Sequence, residues 1–322
     1  MFTIDEQLHK AGTVLNGYGR QEYGHRKGDP IFEGAIPEDV VADFFPIMRE
    51  RPCGHQNIDG SWVADKRHKY LQNLTTGAVC KPVGASAATH QYHSTFLGMG
   101  LPIQAAGQTR GGFRGWIQLG TGEQHTGPGG IGFGTMLLIF TSMDGSLSTG
   151  FGSTSRIGWC NNMFTSLRAE AAASAESTKI RHSRWSEARV EDVRARFSAL
   201  GDVAADTSAA IAADLAIQVD AVTRNLFLDQ MFPATAPGTK IEGKSIALQG
   251  KQRDDINARL AWLWNGEFSQ TAFGLLQAVD TAARWDRNVR GTERNERVME
   301  GVLSGAFDKA LISNRERLLA LV

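Results

Sequence analysis

Short apolar and alternating runs divided by glycine clusters fill the first half of the chain, and apolar residues at helical spacing fill the second. The clusters GGFRGW, GTGEQHTGPGGIGFG and DGSLSTGFG punctuate the first half as turns punctuate strands. Gly115 to Leu119 and Thr135 to Thr141 are predicted strands, and Asp144-Gly145 suits the positive dihedrals of a hairpin leading to Leu147 and Phe151. Gly120 to Gly134 is expected to be a long, mobile loop between them.

After Asn162, alanine, arginine and leucine replace glycine and proline. A helix is expected between Cys160-Asn161-Asn162 and the Arg181-His182 pair, with the asparagines as caps. Val190, Val193, Phe197 and Leu200 mark one apolar helix face, and Ile211, Leu215, Val219, Val222 and Leu226 mark another. Pro233, Pro237 and Gly238 interrupt the pattern. A helix from about Lys251 to Arg287, broken near Gly266, carries Ile256, Leu260, Leu263, Leu276 and Val279; a last one carries Val298, Val302, Phe307 and Leu311. The predicted class is α+β, with an antiparallel, hairpin-rich N-terminal half and a mostly helical C-terminal half. The expected division is residues 1–160 and 161–322, the helices packed on the sheet as one unit.

The chain has 322 residues, 42% of them hydrophobic and 21% charged, enough to bury a core without crosslinks. Its beginning lacks the apolar segment of a secretory leader, and three scattered cysteines (Cys53, Cys80, Cys160) do not form a disulfide framework. A cytoplasmic protein of a bacterial or phage-infected cell, with no membrane partner, is therefore expected. Lysine and arginine number 34, as do aspartate and glutamate, yet Lys66 to Arg184 holds 11 basic and 4 acidic residues. The balance of the whole chain argues against a generic polyanion binder, and the local excess argues for a basic patch.

Cys53, His55, His68, Cys80, His90 and His93 are types that bind zinc, but their spacing matches no closed site; buried cysteines and surface histidines are expected instead. Cys160 before a helix, with His182 as base, would make a nucleophile, though nothing local orients the imidazole. GPGGIGFG leads into a strand and has no lysine where a phosphate loop needs one, so its glycines are assigned to turns. No cofactor is implied. The remaining signal is the pairing of basic and aromatic residues: Lys66, Arg67 and Lys69 with Tyr70; Arg110 and Arg114 with Trp116; Arg156 with Trp159; Arg181, His182 and Arg184 with Trp185. Guanidinium and ammonium groups neutralise phosphates while neighbouring rings stack on unpaired bases, as single-strand binders require.

Four stretches carry a resemblance: AAGQTRGGFRGWIQLG (105 to 120), MLLIFTSMDGSLSTGFGSTSRIGWCNNMFTSL (136 to 167), KIRHSRWSEARVEDVRARFSALG (179 to 201), and TAFGLLQAVDTAARWDRNVRG with GVLSGAFDKAL further on. In them the chain resembles the phage/plasmid-like protein family that carries the DUF932 domain. The resemblance implies a mobile-element setting and no settled catalytic activity, and its strand-hairpin-helix core is similar to Rad52-like single-strand annealing proteins.

The expected function is single-stranded DNA binding with strand annealing in phage or plasmid DNA metabolism, by a homo-oligomer without a catalytic centre. Lys66, Arg67, Lys69, Arg110, Arg114, Arg156, Arg181, His182 and Arg184 are the candidate DNA contacts, and Tyr70, Trp116 and Trp159 the candidate stacking residues. Two alternatives stay open: an oligomeric phage structural or interaction protein, and an enzyme built on Cys160 and His182.

Overall fold

The computed structural model describes residues 14–17, 29–157, 178–183, 186, 190, 203–232, 246–283 and 306–322. Within them the apolar run Met136 to Phe140 is the middle of strand β7 (Gly132–Ser142), and the chain turns at Gly145, φ +67°, towards β8 (Thr149–Ile157). The Asp-Gly pair suits this turn because Asp144 Oδ1 accepts the Ser146 N–H at 3.0 Å while glycine takes the left-handed dihedral.

With β1 (Val14–Asn16), β5 (Ile103–Thr109), β6 (Arg114–Thr126) and β9 (Thr178–Ile180), these strands form an antiparallel sheet in the order β1-β5-β6-β7-β8-β9. Ile117, Leu119, Leu137 and Ile139 join the main core with Phe44 of α1 (Glu38–Phe44) and with Tyr92 and Phe96 of α2 (Tyr92–Phe96). On the alternate positions Trp116, Leu138 and Phe140 make a second cluster, so the central strands bury both faces. The glycines opposite them serve packing rather than turning. A Cβ at Gly107 would lie 2.4 Å from the Trp116 ring, and one at Gly150 would lie 2.2 Å from the Phe140 ring.

A second sheet, β2-β3-β4, is built from Met48–Gln56, Trp62–Asn73 and Val83–Gly84. β2 and β3 form a long ribbon whose base is anchored: Met48 and Leu71 enter the main core, and Asn73 Nδ2 donates to Gly111 O at 2.9 Å. Its outer half carries mostly exposed residues on both faces.

The C-terminal half supplies α3 (Val203–Ala216), α4 (Ala221–Met231), α5 (Ile246–Trp262), α6 (Ala272–Thr281) and α7 (Ala306–Leu319). Phe227, Leu228, Ile256, Leu260, Leu263, Leu275, Leu276, Val279, Leu311 and Leu318 share their core. Ile131 and Phe133 of the sheet side meet Ile211, Phe268 and Phe273 of the helical side, joining the two halves. The chain is an α+β protein, with antiparallel sheets mostly in the N-terminal half and helices mostly in the C-terminal half.

Three local expectations change. The long loop from Gly120 shrinks to residues around a 3-10 turn at Pro128–Gly130, because β6 and β7 continue through Gln124↔Gly134, His125↔Phe133 and Thr126↔Gly132. The segment before Arg181 is strand where helix was expected: Thr178, Lys179 and Ile180 pair with Phe151, Gly150 and Thr149. The helix face from Ile211 to Leu226 belongs to two helices, since Asp220 caps α4 by accepting the Thr223 N–H at 2.7 Å. After that break the phase shifts, leaving Val222 and Leu226 exposed while Phe227 and Leu228 are buried.

Candidate functional site

The β2–β3 ribbon carries three of the basic candidates, Lys66, Arg67 and Lys69, on β3. Its tip is the loop Asn57–Ser61, closed by Asn57 N–H to Ser61 O at 2.8 Å and Ser61 N–H to Asp59 Oδ1 at 2.9 Å. Halfway down, Pro52 pairs with Lys69 but the next residue, Cys53, pairs with Asp65. Lys66, Arg67 and His68 are the surplus residues of a large bulge, and all three are exposed.

Asp65 braces this bulge. Its Oδ1 accepts the Arg67 N–H at 2.7 Å and its Oδ2 lies 2.7 Å from His68 Nδ1. These two bonds, the Arg67 backbone first, hold the Asp65 carboxyl below the usual carboxylate range. Glu50 is likewise engaged, accepting from Lys69 Nζ at 2.5 Å and from Thr89 Oγ1 at 3.0 Å. The two acids nearest the bulge are thus turned to internal bonds, and Lys66 and Arg67 extend into water.

The other sequence candidates separate. Tyr70 is half-buried on the ribbon, opposite Arg51. Arg110 lies near the ribbon base with its Nη1 3.7 Å from Asp144 Oδ2, and Arg181 is exposed just after β9. Arg114 is 6% exposed with its Nε donating to Ser146 Oγ at 2.7 Å, and Trp116 is 4% exposed within the second cluster. Both face the interior, where a strand on the surface does not reach. Arg156 sits in β8 opposite Gly134. Arg184, Trp159, Cys160, Asn161, Asn162 and Trp185 lie outside the described residues.

His182 is half-buried in a polar network instead of being displayed. Its ring stacks on His90, centroids 4.3 Å apart, and its Nδ1 lies 3.1 Å from Ala88 O. His90, only 3% exposed, places Nδ1 2.6 Å from Thr149 Oγ1 and Nε2 2.6 Å from Ser186 Oγ. Thr141 Oγ1 lies 2.7 Å from Thr149 Oγ1, and Ser186 Oγ reaches Ser183 O at 2.7 Å and Ser183 N at 3.2 Å. One assignment satisfies these groups: Thr141 donates to Thr149, Thr149 to His90 Nδ1, His90 Nε2–H to Ser186, and Ser186 to Ser183 O.

That assignment needs a neutral His90, and burial, reinforced by His182, lowers its pKa to about 4. Burial also lowers the pKa of His182. The hydroxyl–imidazole–hydroxyl order resembles a nucleophile, base and orienting group, but Thr141, Thr149 and Ser186 are fully buried, leaving a substrate no access to Ser186. The network ties strands to the residues after β9. The surface position expected for His90 is therefore corrected by its enclosure, and its partnership with His182, 92 positions apart in numbering, had no local signal.

Among the described residues no three histidine, cysteine or acidic side chains converge to hold a metal ion, and no helix is long and apolar enough to cross a membrane. Cys53 and Cys80 are free thiols; burial raises the pKa of Cys80.

The decisive comparison is with protein families: the domain of unknown function DUF932 matches residues 81–301, more than half of the chain. The chain belongs to the DUF932 family. No curated protein and no solved structure matches it. In this DUF932 protein the imidazole network lies inside the matched segment, whereas the basic ribbon precedes it.

Proposed function

We propose that this DUF932 protein binds single-stranded DNA along the β2–β3 ribbon and promotes strand annealing in phage or plasmid DNA metabolism, without making or breaking a covalent bond. The observation that carries this reading is the bulge, which displays Lys66 and Arg67 while Asp65 is engaged by His68 and the Arg67 N–H, and Glu50 by Lys69 and Thr89. Phosphates pair with displayed cations whose own counter-charges are already engaged elsewhere, and a single strand can follow a ribbon because its backbone is flexible. Lys69 strengthens the local positive field even though it is paired with Glu50. Arg110 near the ribbon base lies about 20 Å from the bulge along β3, a span over which several phosphates can be tracked. Annealing as a homo-oligomer extends this reading, since strands held by their backbones leave bases free to pair.

Fluorescence anisotropy of a labelled oligonucleotide, titrated at several salt concentrations with duplex as competitor, tests it. Salt-sensitive binding that duplex does not displace is expected. Replacing Lys66 and Arg67 together by alanine should flatten the log–log salt slope by about 0.7 for each phosphate no longer neutralised. Absence of binding at low salt overturns the reading. Mixing complementary labelled strands with and without protein then tests annealing by the rate of quenching.

An oligomeric interaction protein is the second reading, favoured by the exposed Ile58 and Val63 at the ribbon tip. Self-association that is insensitive to salt and accompanied by no strand affinity would establish it.

A further inference from the structure

The outer ribbon carries an aromatic residue with no role in the core. Trp62 opens β3 immediately after the tip loop, and its side chain is 56% exposed. An indole left in water on a two-stranded arm leaves its flat face open to a second ring.

The local geometry holds the ring ready. Gly54 of β2 pairs with Ala64, one alternation from Trp62, so Trp62 and Gly54 share a face of the ribbon. A Cβ at Gly54 would lie 2.4 Å from Val63 O, 2.6 Å from Trp62 Cζ2 and 2.8 Å from Cε2, so both the β3 backbone and the six-membered ring rest against bare backbone at that glycine. Any other residue at position 54 would displace the β3 backbone at Val63 as well as the indole. Glycine thus seats one side of the ring and restricts its rotamers, while the remaining area faces solvent. Such pre-organisation lowers the entropy cost of stacking a second flat group on it.

The chemistry nearby selects that group. Lys66 and Arg67 leave the ribbon about 13 Å further along the strand, which is within reach of the phosphates beside a base stacked at Trp62. On the tip side, Asp59 is turned inward to the Ser61 N–H and hydroxyl, so its carboxylate is engaged within the loop. A flat apolar surface with cations along one direction matches an unpaired base followed by its phosphodiester chain.

We propose that Trp62, seated on Gly54, is the stacking platform for an unpaired base of a single-stranded nucleic acid whose phosphates run to Lys66 and Arg67. This deepens the strand-binding reading and rests on it. Neither the indole nor its glycine seat lies in the segment that matches the family.

The test compares two probes on the full chain: a labelled oligothymidine, and an oligomer of the same length in which the sugar-phosphate chain carries no bases. Trp62→Ala should weaken oligothymidine binding roughly 10-fold, leave the salt slope unchanged, and have no effect on the baseless chain. Trp62→Phe should recover part of the loss. Equal affinity of Trp62→Ala and the wild type for oligothymidine, with loss only in the Lys66 and Arg67 variants, overturns the platform and leaves strand binding standing. If the wild type binds neither probe, both readings fall. Dissociation of an oligomer on Trp62→Ala, with strand affinity unchanged, assigns the indole to a second copy of the chain and overturns the proposal.

Discussion

His90 shows how one residue can be functional in type and structural in place. Its two ring nitrogens each lie 2.6 Å from a buried hydroxyl, one on β8 and one on Ser186. Replacing it by alanine strips Thr149 and Ser186 of a partner and opens a space against His182. A loss of about 2 kcal/mol or more in unfolding free energy is expected, measured by urea denaturation. His90→Gln, which can offer one donor and one acceptor, should restore part of that loss. Gly150 makes the complementary point, since its lack of a side chain is what lets the Phe140 ring approach. Gly150→Ala should cost about 1–3 kcal/mol in the same measurement, whereas Gly132→Ala, with open space at its Cβ position, should cost less.

At the scale of elements, breaks in regularity position the groups that matter. The bulge in β3 adds three residues opposite one step of β2, so Lys66 and Arg67 fall out of register with β2, while His68 pairs with Gly84 of β4 on the other side. Trp62 stays in the ladder opposite Gln56, and the bare backbone at Gly54 leaves room for its ring on the ribbon face. In the helical half, the Asp220 cap separates α3 from α4 and resets which side chains face inward. The Thr223 N–H bond holds the Asp220 carboxyl below its ordinary pKa, as expected of a capping carboxylate. Asp220→Ala should lower stability by about 1 kcal/mol, and Asp220→Asn, which keeps the acceptor, should lower it by less; thermal unfolding followed by circular dichroism distinguishes them.

Across the whole molecule, the imidazole network couples folding to pH. His90 titrates near 6.5 when exposed and at about 4 in the fold, so between these values the unfolded chain binds more protons than the folded one. Its contribution to stability is fully present above about pH 6.5 and is lost as the pH falls towards about 4. Chemical denaturation midpoints should drop across that window, and the drop should be smaller in His90→Gln. The α+β class, the Asp144-Gly145 hairpin, the break near Gly266 and the apolar positions Ile256, Leu260, Leu263, Leu276 and Val279 were legible in the sequence. Strand alternation, helical spacing and turn chemistry are local properties, carried by residues within a few positions of one another. Burial is not local. Trp116 and Trp62 both stand within a few positions of basic residues in the chain, yet one packs over Gly107 inside the first sheet and the other rests on Gly54 near the tip of the ribbon. Likewise His182 reads as part of a basic run until Ala88, His90 and Thr149 close around it. Local order in the chain was enough to set the class of the fold and most of its elements. Which rings and cations meet water emerged only from the assembled fold, because exposure depends on strands and loops brought together from distant parts of the chain.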